Sequence, residues 1–359
     1  MTLVLGIETS CDETAASVVR DGRVALSNVI ASQHDLHEEY GGVVPEIASR
    51  AHLERILPVV REAVKEAGVA LADLGAVAVG NRPGLIGSLL VGVAAAKGLA
   101  WSLGRPILGV DHVRAHLYSS FLRLARCSAG TPESPLSTIE SVADAYPALG
   151  LVVSGGHTAL YDCGSPLRCA RLGATIDDAV GEAFDKAAAL LGLPHPGGPR
   201  LDRLAQTGND RAHDFPIARL GAGSLDFSFS GLKTAVRYRV RPPGGETPAL
   251  TDRARADLAA SFQRAACRAV MLKLERALAS RSTRPRTLLV GGGVSANSRL
   301  RRELSAFASD HGLALGLPSP AFCVDNAAMI AGLAHARLVA GEADDLTLSA
   351  HPTLSAAGD

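Results

Sequence analysis

Two histidines lie one helical turn apart in Asp111-His112-Val113-Arg114-Ala115-His116, and a carboxylate stands far downstream in Cys323-Val324-Asp325-Asn326. Imidazole nitrogens and a carboxylate oxygen are ligands for a divalent ion. Residues at i and i+4 share a helix face, so both rings can reach one ion. An aspartate returning from late in the chain would complete three protein ligands and leave positions open for substrate. The same spacing also suits ordinary polar residues, so the pair alone does not establish a metal site. A zinc-protease pattern is excluded, because it needs a glutamate directly after the first histidine and Val113 stands there.

Other segments suit a nucleotide. Val153-Ser154-Gly155-Gly156-His157-Thr158 places two glycines after a buried strand, where the missing Cβ lets backbone N–H groups approach an anion. A plain hairpin turn explains the same residues. The run Ile176 to Lys186 is acidic at its start, as helix caps are, and carries Asp185. With Asp202, beyond Pro196-Gly197-Gly198-Pro199, Asp185 could accept hydrogen bonds from ribose hydroxyls. Gly291-Gly292-Gly293-Val294-Ser295-Ala296-Asn297 ends a strand and opens a helix; its glycines could admit a purine while Asn297 bonds an edge or hydroxyl. There is no P-loop and no dinucleotide-binding glycine motif in a Rossmann context. Lys233, in Asp226 to Thr234, is one of only five lysines and is either a compact phosphate contact or a solvated charge.

These residues need elements to position them. With 359 residues, 47% of them apolar, and mean hydropathy +0.17, the chain can bury two domains. Thirty-six basic and 36 acidic residues cancel, so no global charge draws it to nucleic acid or membrane. The distribution is uneven: nine acidic against three basic residues over 1–54, and twelve basic against two acidic over 253–302. The second stretch either attracts a polyanion or coats solvated helices. Six cysteines without C-x-x-C spacing, and a start lacking a basic-then-apolar segment, predict a reducing cytoplasm. The apolar run Leu85 to Ala96 stops at Lys97, short of the roughly 20 residues of a membrane span.

Strands are predicted at Leu3 to Ile7, Ala15 to Val19 and Val24 to Ile30. A helix follows from Pro45 to about Ala67, then a strand at Ala76 to Val79 and a glycine-punctuated helix near 86 to 102. From Leu149 the plan repeats, with a strand, a turn, a return strand through Tyr161, helices near 176 to 192 and 252 to 280, and a strand at Thr287 to Val290. Two βββαβα halves predict an α/β protein of the actin-like, ribonuclease-H-like ATPase fold, duplicated around a nucleotide cleft. Boundaries are expected at 1–112 plus 323–345 and at 113–322, with a tail over 346–359 that frays from His351. Cys127 to Tyr146 and Arg241 to Glu246 are expected to be surface loops.

Taken together, Gly6 to Thr14, Tyr40 to Glu46, the histidine pair, Val153 to Thr158, Asp177 to Lys186, Phe227 to Thr234, Gly291 to Asn297 and Cys323 to Asn326 resemble the TsaD type of tRNA threonylcarbamoyladenosine synthase over about residues 3 to 340. The resemblance implies an acyltransferase that moves threonylcarbamoyl from threonylcarbamoyl-AMP to the exocyclic amine of the adenosine 3′ of the anticodon, in tRNAs reading codons that begin with A. It implies His112, His116 and Asp325 as ligands of one divalent ion, iron before zinc. It implies Val152, Val153, Ser154, Gly155, Gly156, Asp185, Gly198, Asp202 and Asn297 as acyl-adenylate contacts, and Asp12 and Glu13 as acidic residues at the reacting centre. Implied partners are tRNA, a degenerate paralogue of TsaB type docked on the helices near 45 and 86 to 102, and a small P-loop ATPase of TsaE type. One departure stands out: the family's Gly-Pro-Gly is replaced by Asn81-Arg82-Pro83-Gly84. The rival readings are a noncatalytic scaffold of the same assembly, or an ATPase or sugar kinase of the same fold.

Overall fold

The structure, a computed structural model, describes residues 1–37, 40, 42–125, 139, 141–218, 220–242 and 250–353. The chain divides into two compact units, one of Met1–Ser137, Gly164–Cys169 and Leu317–Asp359, the other of Thr138–Cys163 and Ala170–Gly316. Most of the two expected loops, at 126–138 and 243–249, lies outside the described residues.

The first unit opens with β1 (Leu3–Glu8), β2 (Glu13–Arg20), β3 (Val24–Ala25), β4 (Val29–Ser32) and a helical turn α1 (His34–His37). It continues through α2 (Pro45–Ala67), β5 (Ala76–Arg82), α3 (Ile86–Leu103), β6 (Ile107–Asp111), α4 (His112–Tyr118) and β7 (Arg123–Leu124). The second unit holds β8 (Ala148–Val153), most of β9 (Thr158–Ser165) and of β10 (Arg168–Ala174), α5 (Val180–Leu190), α6 (Gly197–Ala205), α7 (Ser230–Val240), α8 (Asp252–Ser280), β11 (Thr287–Gly291), α9 (Ser298–Asp310) and β12 (Ala314–Gly316). Then α10 (Ala327–Val339) returns to the first unit and packs on β1, β2 and β5.

The sheet orders reveal the duplication: β6-β5-β1-β2-β3 in one unit matches β12-β11-β8-β9-β10 in the other. In each, the first strand pairs antiparallel with its successor and parallel with the strand that follows the helices. β1 and β8 are central and buried throughout, which is why they read as continuous apolar runs. In the first unit, Leu5, Ile7, Val77 and Val79 pack with Val59 and Val60 of α2 and Val93, Ala96 and Ala100 of α3. Pro45 suits the first turn of α2, and Gly68 closes it in the left-handed conformation at φ 66°. By length and composition, 18-residue α3 is long and apolar enough to cross a membrane, but its buried side chains belong to this core.

The structure departs from the expected elements in four places. The predicted strand Val24 to Ile30 is two strands, because Ser27 replaces ladder bonds with its own: its Oγ accepts from Val18 N at 3.0 Å and its carbonyl accepts from Ser17 Oγ at 2.6 Å. The helix expected from 176 begins at Val180, because Thr175 and Ile176 donate their N–H groups to Thr158 and Phe227 carbonyls. Cys163 and Cys169, in the β9–β10 hairpin, are disulfide-bonded. The expected frayed tail is tied down as far as Pro352: Ser349 O accepts from Asn81 Nδ2 at 3.0 Å and His351 N donates to Asn81 O at 2.9 Å.

Candidate metal centre and nucleotide-binding residues

At the end of β6, Asp111 caps α4 by accepting from Arg114 N at 3.0 Å, so the helix begins on His112. His112 and His116 then lie on one face, ring centroids 4.7 Å apart. Asp325 follows a short turn at Pro320–Phe322 and precedes α10, whose first turn is capped by Asn326 accepting from Met329 N at 3.0 Å. Asp325 Oδ1 stands 3.5 Å from His112 Nε2 and 3.2 Å from His116 Nε2, and the three ligand atoms lie within 4.8 Å of one another. Two ligands at tetrahedral angles, each about 2.1 Å from an ion, stand about 3.4 Å apart. The donor set fits an ion on a second count: His116 is wholly buried with its Nε2 facing the Asp325 carboxylate at 3.2 Å but off hydrogen-bond geometry, a costly state that coordination at Nε2 relieves.

Burial opposes charge on His112, but the carboxylates of Asp325 and Glu8 overcome it and raise this histidine to about 9. His116 is lowered by burial, against the pull of Asp325. Glu13 is raised well above the carboxylate range, first by burial and then by Asp325 and Asp12, and the Cys11 thiol is pushed up by burial, Asp12 and Asp325.

The turn from Glu8 to Glu13 is braced from two sides. His52 of α2 stands 2.8 Å from Thr14 Oγ1 through Nδ1, and 3.0 Å from the Cys11 carbonyl through Nε2. Thr9 Oγ1 donates to Ser88 O at 2.8 Å and Leu85 N to Ser10 O at 2.9 Å. Such close seating explains Gly84, in the loop before α3, and Gly92, within it: a Cβ on Gly84 would stand 2.5 Å from Ser10 O, and one on Gly92 2.3 Å from Thr9 Oγ1. Arg82, the departure in this loop, turns its guanidinium toward Asp111 at 3.8 Å. His52 and Glu8 were not singled out by the sequence. Glu8 sits inside a quoted motif, and its only signal was a carboxylate closing a buried strand.

In the second unit, Val152 and Val153 end β8, and Ser154 N closes the turn onto His157 O at 2.7 Å, leaving Gly155 and Gly156 exposed. The N-terminus of α5 seats against this turn: Gly181 N donates to Ser154 O at 3.1 Å, and a Cβ on Gly181 would stand 2.5 Å from that oxygen. Gly292 takes φ 94° with Val153 O 2.4 Å from its would-be Cβ. Asp185 accepts from Gly198 N at 2.9 Å. Asp202 accepts from Ser298 Oγ at 2.8 Å and Gln263 Nε2 at 2.7 Å, and Gln263 Nε2 also reaches Asn297 Oδ1 at 3.2 Å. Asp185, Asp202 and Asn297 are therefore held in place by internal bonds, and buried Gln263 presents an Oε1 acceptor without a partner beside the last two. No sequence signal marked Gln263.

Other candidates are committed elsewhere. Lys233 pairs with Asp178 at 2.7 Å, beside Lys186 at 2.8 Å. Asp177 caps α7, accepting from Phe229 N at 2.8 Å and Ser230 Oγ at 2.8 Å. Partial burial opposes its charge, yet these donors and Ser228 hold it below the usual range. Of the basic cluster, Arg299 pairs with Asp210 and Glu303, Arg264 bonds Asp210 O, and Arg301 bonds Ser295 O. Arg268 and Arg302 are exposed.

Duplicated sheets in this order with a His-His-Asp cluster define a protein of the actin-like fold carrying a candidate metal centre. The same fold occurs in HypF from T. kodakarensis (TM-score 0.56, 16% identity, 97% of this chain and 49% of that one) and in the (R)-2-hydroxyglutaryl-CoA dehydratase component A of Acidaminococcus fermentans (TM-score 0.50, 12% identity, 94% and 100%). The chain belongs to the TsaD family, tRNA N6-adenosine threonylcarbamoyltransferase, whose model matches residues 24–332. Relatives of that name from Symbiobacterium thermophilum and Trichlorobacter lovleyi are 49% and 50% identical over 352 and 356 residues, 98% of this chain and 96% of each relative.

Proposed function

We propose that this chain transfers the threonylcarbamoyl group from threonylcarbamoyl-AMP to the exocyclic amine of the adenosine 3′ of the anticodon, in tRNAs reading codons that begin with A, releasing AMP. The observation that carries this reading is the meeting of His112, His116 and Asp325 at ligand spacing, in a chain half identical to relatives of that activity along nearly its whole length. A scaffold that had lost catalysis would have no reason to keep all three.

Two imidazoles and one carboxylate with open positions favour iron, with zinc the other choice. When bound, the ion supplies Lewis acidity toward a substrate oxygen. The chain's own residues do the rest. His112, His116 and Asp325 would hold the ion. Glu13, whose carboxyl is raised by burial and by its acidic neighbours, would orient the substrate, and Asp12 would accept the proton released by the attacking amine. Gly155 and Gly156 would offer N–H groups to the phosphate, following Val152, Val153 and Ser154. Asp185, Gly198, Asp202 and Asn297, already fixed by internal bonds, would contact ribose and base.

A TsaB-type paralogue would dock on α2 and α3, which expose Leu53, Leu57, Ile86 and Leu90. A TsaE-type ATPase would complete the cytoplasmic assembly. For tRNA, Arg268→Glu combined with Arg302→Glu should lower the slope of log affinity against log salt by roughly 1–2. An unchanged slope would move the RNA surface elsewhere. The activity itself is tested by supplying the metal-loaded chain with tRNA, threonine, bicarbonate, ATP and the partner proteins, then measuring modified nucleoside by mass spectrometry. Absence of threonylcarbamoyladenosine would refute the reading.

A further inference from the structure

We infer that Glu8 is the positioning residue of the metal centre: its carboxylate accepts the Nδ1–H of His112, fixes that ring's orientation, and makes Nε2 the nitrogen that the ion would take. The inference rests on the metal reading above and deepens it.

Glu8 is the last residue of β1 and has no exposed surface. Its Oε2 lies 2.8 Å from His112 Nδ1, and its Oε1 accepts from Ser10 N at 2.6 Å, so both oxygens are engaged. Ser10 Oγ adds a contact to the same ring nitrogen at 3.2 Å. The opposite edge of the imidazole, Nε2, is the one that faces Asp325. The strand next door makes room for the carboxylate: a Cβ on Gly80 of β5 would stand 2.7 Å from Glu8 Oε2.

Stability alone gives a poor reason for this arrangement. Exchanging a buried ion pair for apolar residues of similar volume is often neutral or stabilising. A carboxylate on the far nitrogen of a ligating histidine, by contrast, sets which nitrogen is bare and raises ligand basicity, and its loss typically costs 10–100-fold in metal affinity. The contrast with His116 sharpens the assignment, since its Nδ1 has no such partner and only its Nε2 side faces a carboxylate, that of Asp325. His112 is the pre-oriented ligand of the pair.

The test titrates cobalt(II) into the full chain freed of metal, following its visible absorption. Glu8→Gln, which keeps shape and removes the charge, should weaken binding 10–100-fold while the thermal melt stays near the wild type; Glu8→Asp should recover part of the loss. Unchanged cobalt affinity in Glu8→Gln, with affinity lost in Asp325→Ala, would overturn the role of Glu8 and keep the metal centre. Unchanged affinity in both would overturn the centre itself. If Glu8→Gln fails to fold, the 15N spectrum of the histidines in the zinc-loaded wild type decides. A proton on Nδ1 of His112 supports the proposal, and one on Nε2 refutes it.

Discussion

Asp325→Ala should abolish formation of the modified nucleoside, by on the order of 10²–10³-fold or more, while leaving the fold intact. Asp325 is the shared neighbour of His112 and His116, so without it two imidazoles remain and the ion loses its anionic ligand. The side chain is 22% exposed, and capping of α10 falls to Asn326, so truncation opens no apolar cavity. In the ion-free protein its removal takes away both a repulsion with Glu13 and an attraction to His112, which offset one another. The melting temperature of the ion-free protein should therefore stay near the wild type, while the bound metal falls toward none and takes its stabilisation with it. Full turnover by the variant would refute the ligand assignment. This substitution separates chemistry from folding better than His116→Ala, which hollows out a wholly buried position.

Gly6→Ala should have the largest effect on stability. A Cβ at this position in β1 would lie 2.1 Å from the carbonyl of Ala327 and 3.0 Å from Ala331 Cβ. Both belong to α10, so the added methyl must push a whole helix off the sheet. Overpacking against backbone costs about 3 kcal/mol, or roughly 6–12 °C in a thermal melt. Because Ala327 begins α10 two residues after Asp325, the shift should also weaken cobalt(II) binding, although Gly6 touches no ligand. An unaltered melt would mean that α10 does not rest on β1 in solution.

The histidine pair was legible because its geometry is local: four residues along one helix put both rings on one face whatever surrounds them. Asp325 could be offered as a third ligand from its residue type, but only the resemblance tied it to the pair, since nothing nearby announces that residue 325 meets residue 112. The duplicated order of strands followed from buried runs such as Leu149 to Val153, and it appears in both sheets. What escaped was long-range. Asp177 reads as an ordinary acidic first turn, yet it caps a helix that begins 53 residues later. Lys233 reads as a phosphate contact or a solvated charge and is instead paired with Asp178. Ser27 breaks a strand by bonding sideways with its hydroxyl, an option alternation patterns do not register. Glu8 ended an apolar run and passed for a turn residue, because only the folded sheet shows that its neighbour Gly80 leaves a niche and that His112 fills the other side.

The return of α10 to β1 has a consequence for biosynthesis. Its bed, β1 to β6, leaves the ribosome long before the helix does, and Asp325 arrives roughly two hundred residues after His112, a delay on the order of tens of seconds at ordinary elongation rates. Through that interval the nascent first unit lacks both the helix that covers its sheet and the Asp325 carboxylate. On the proposed ligand set, loading with metal would come near the end of translation or after release, and a stalled or truncated product would hold the two histidines without the third ligand.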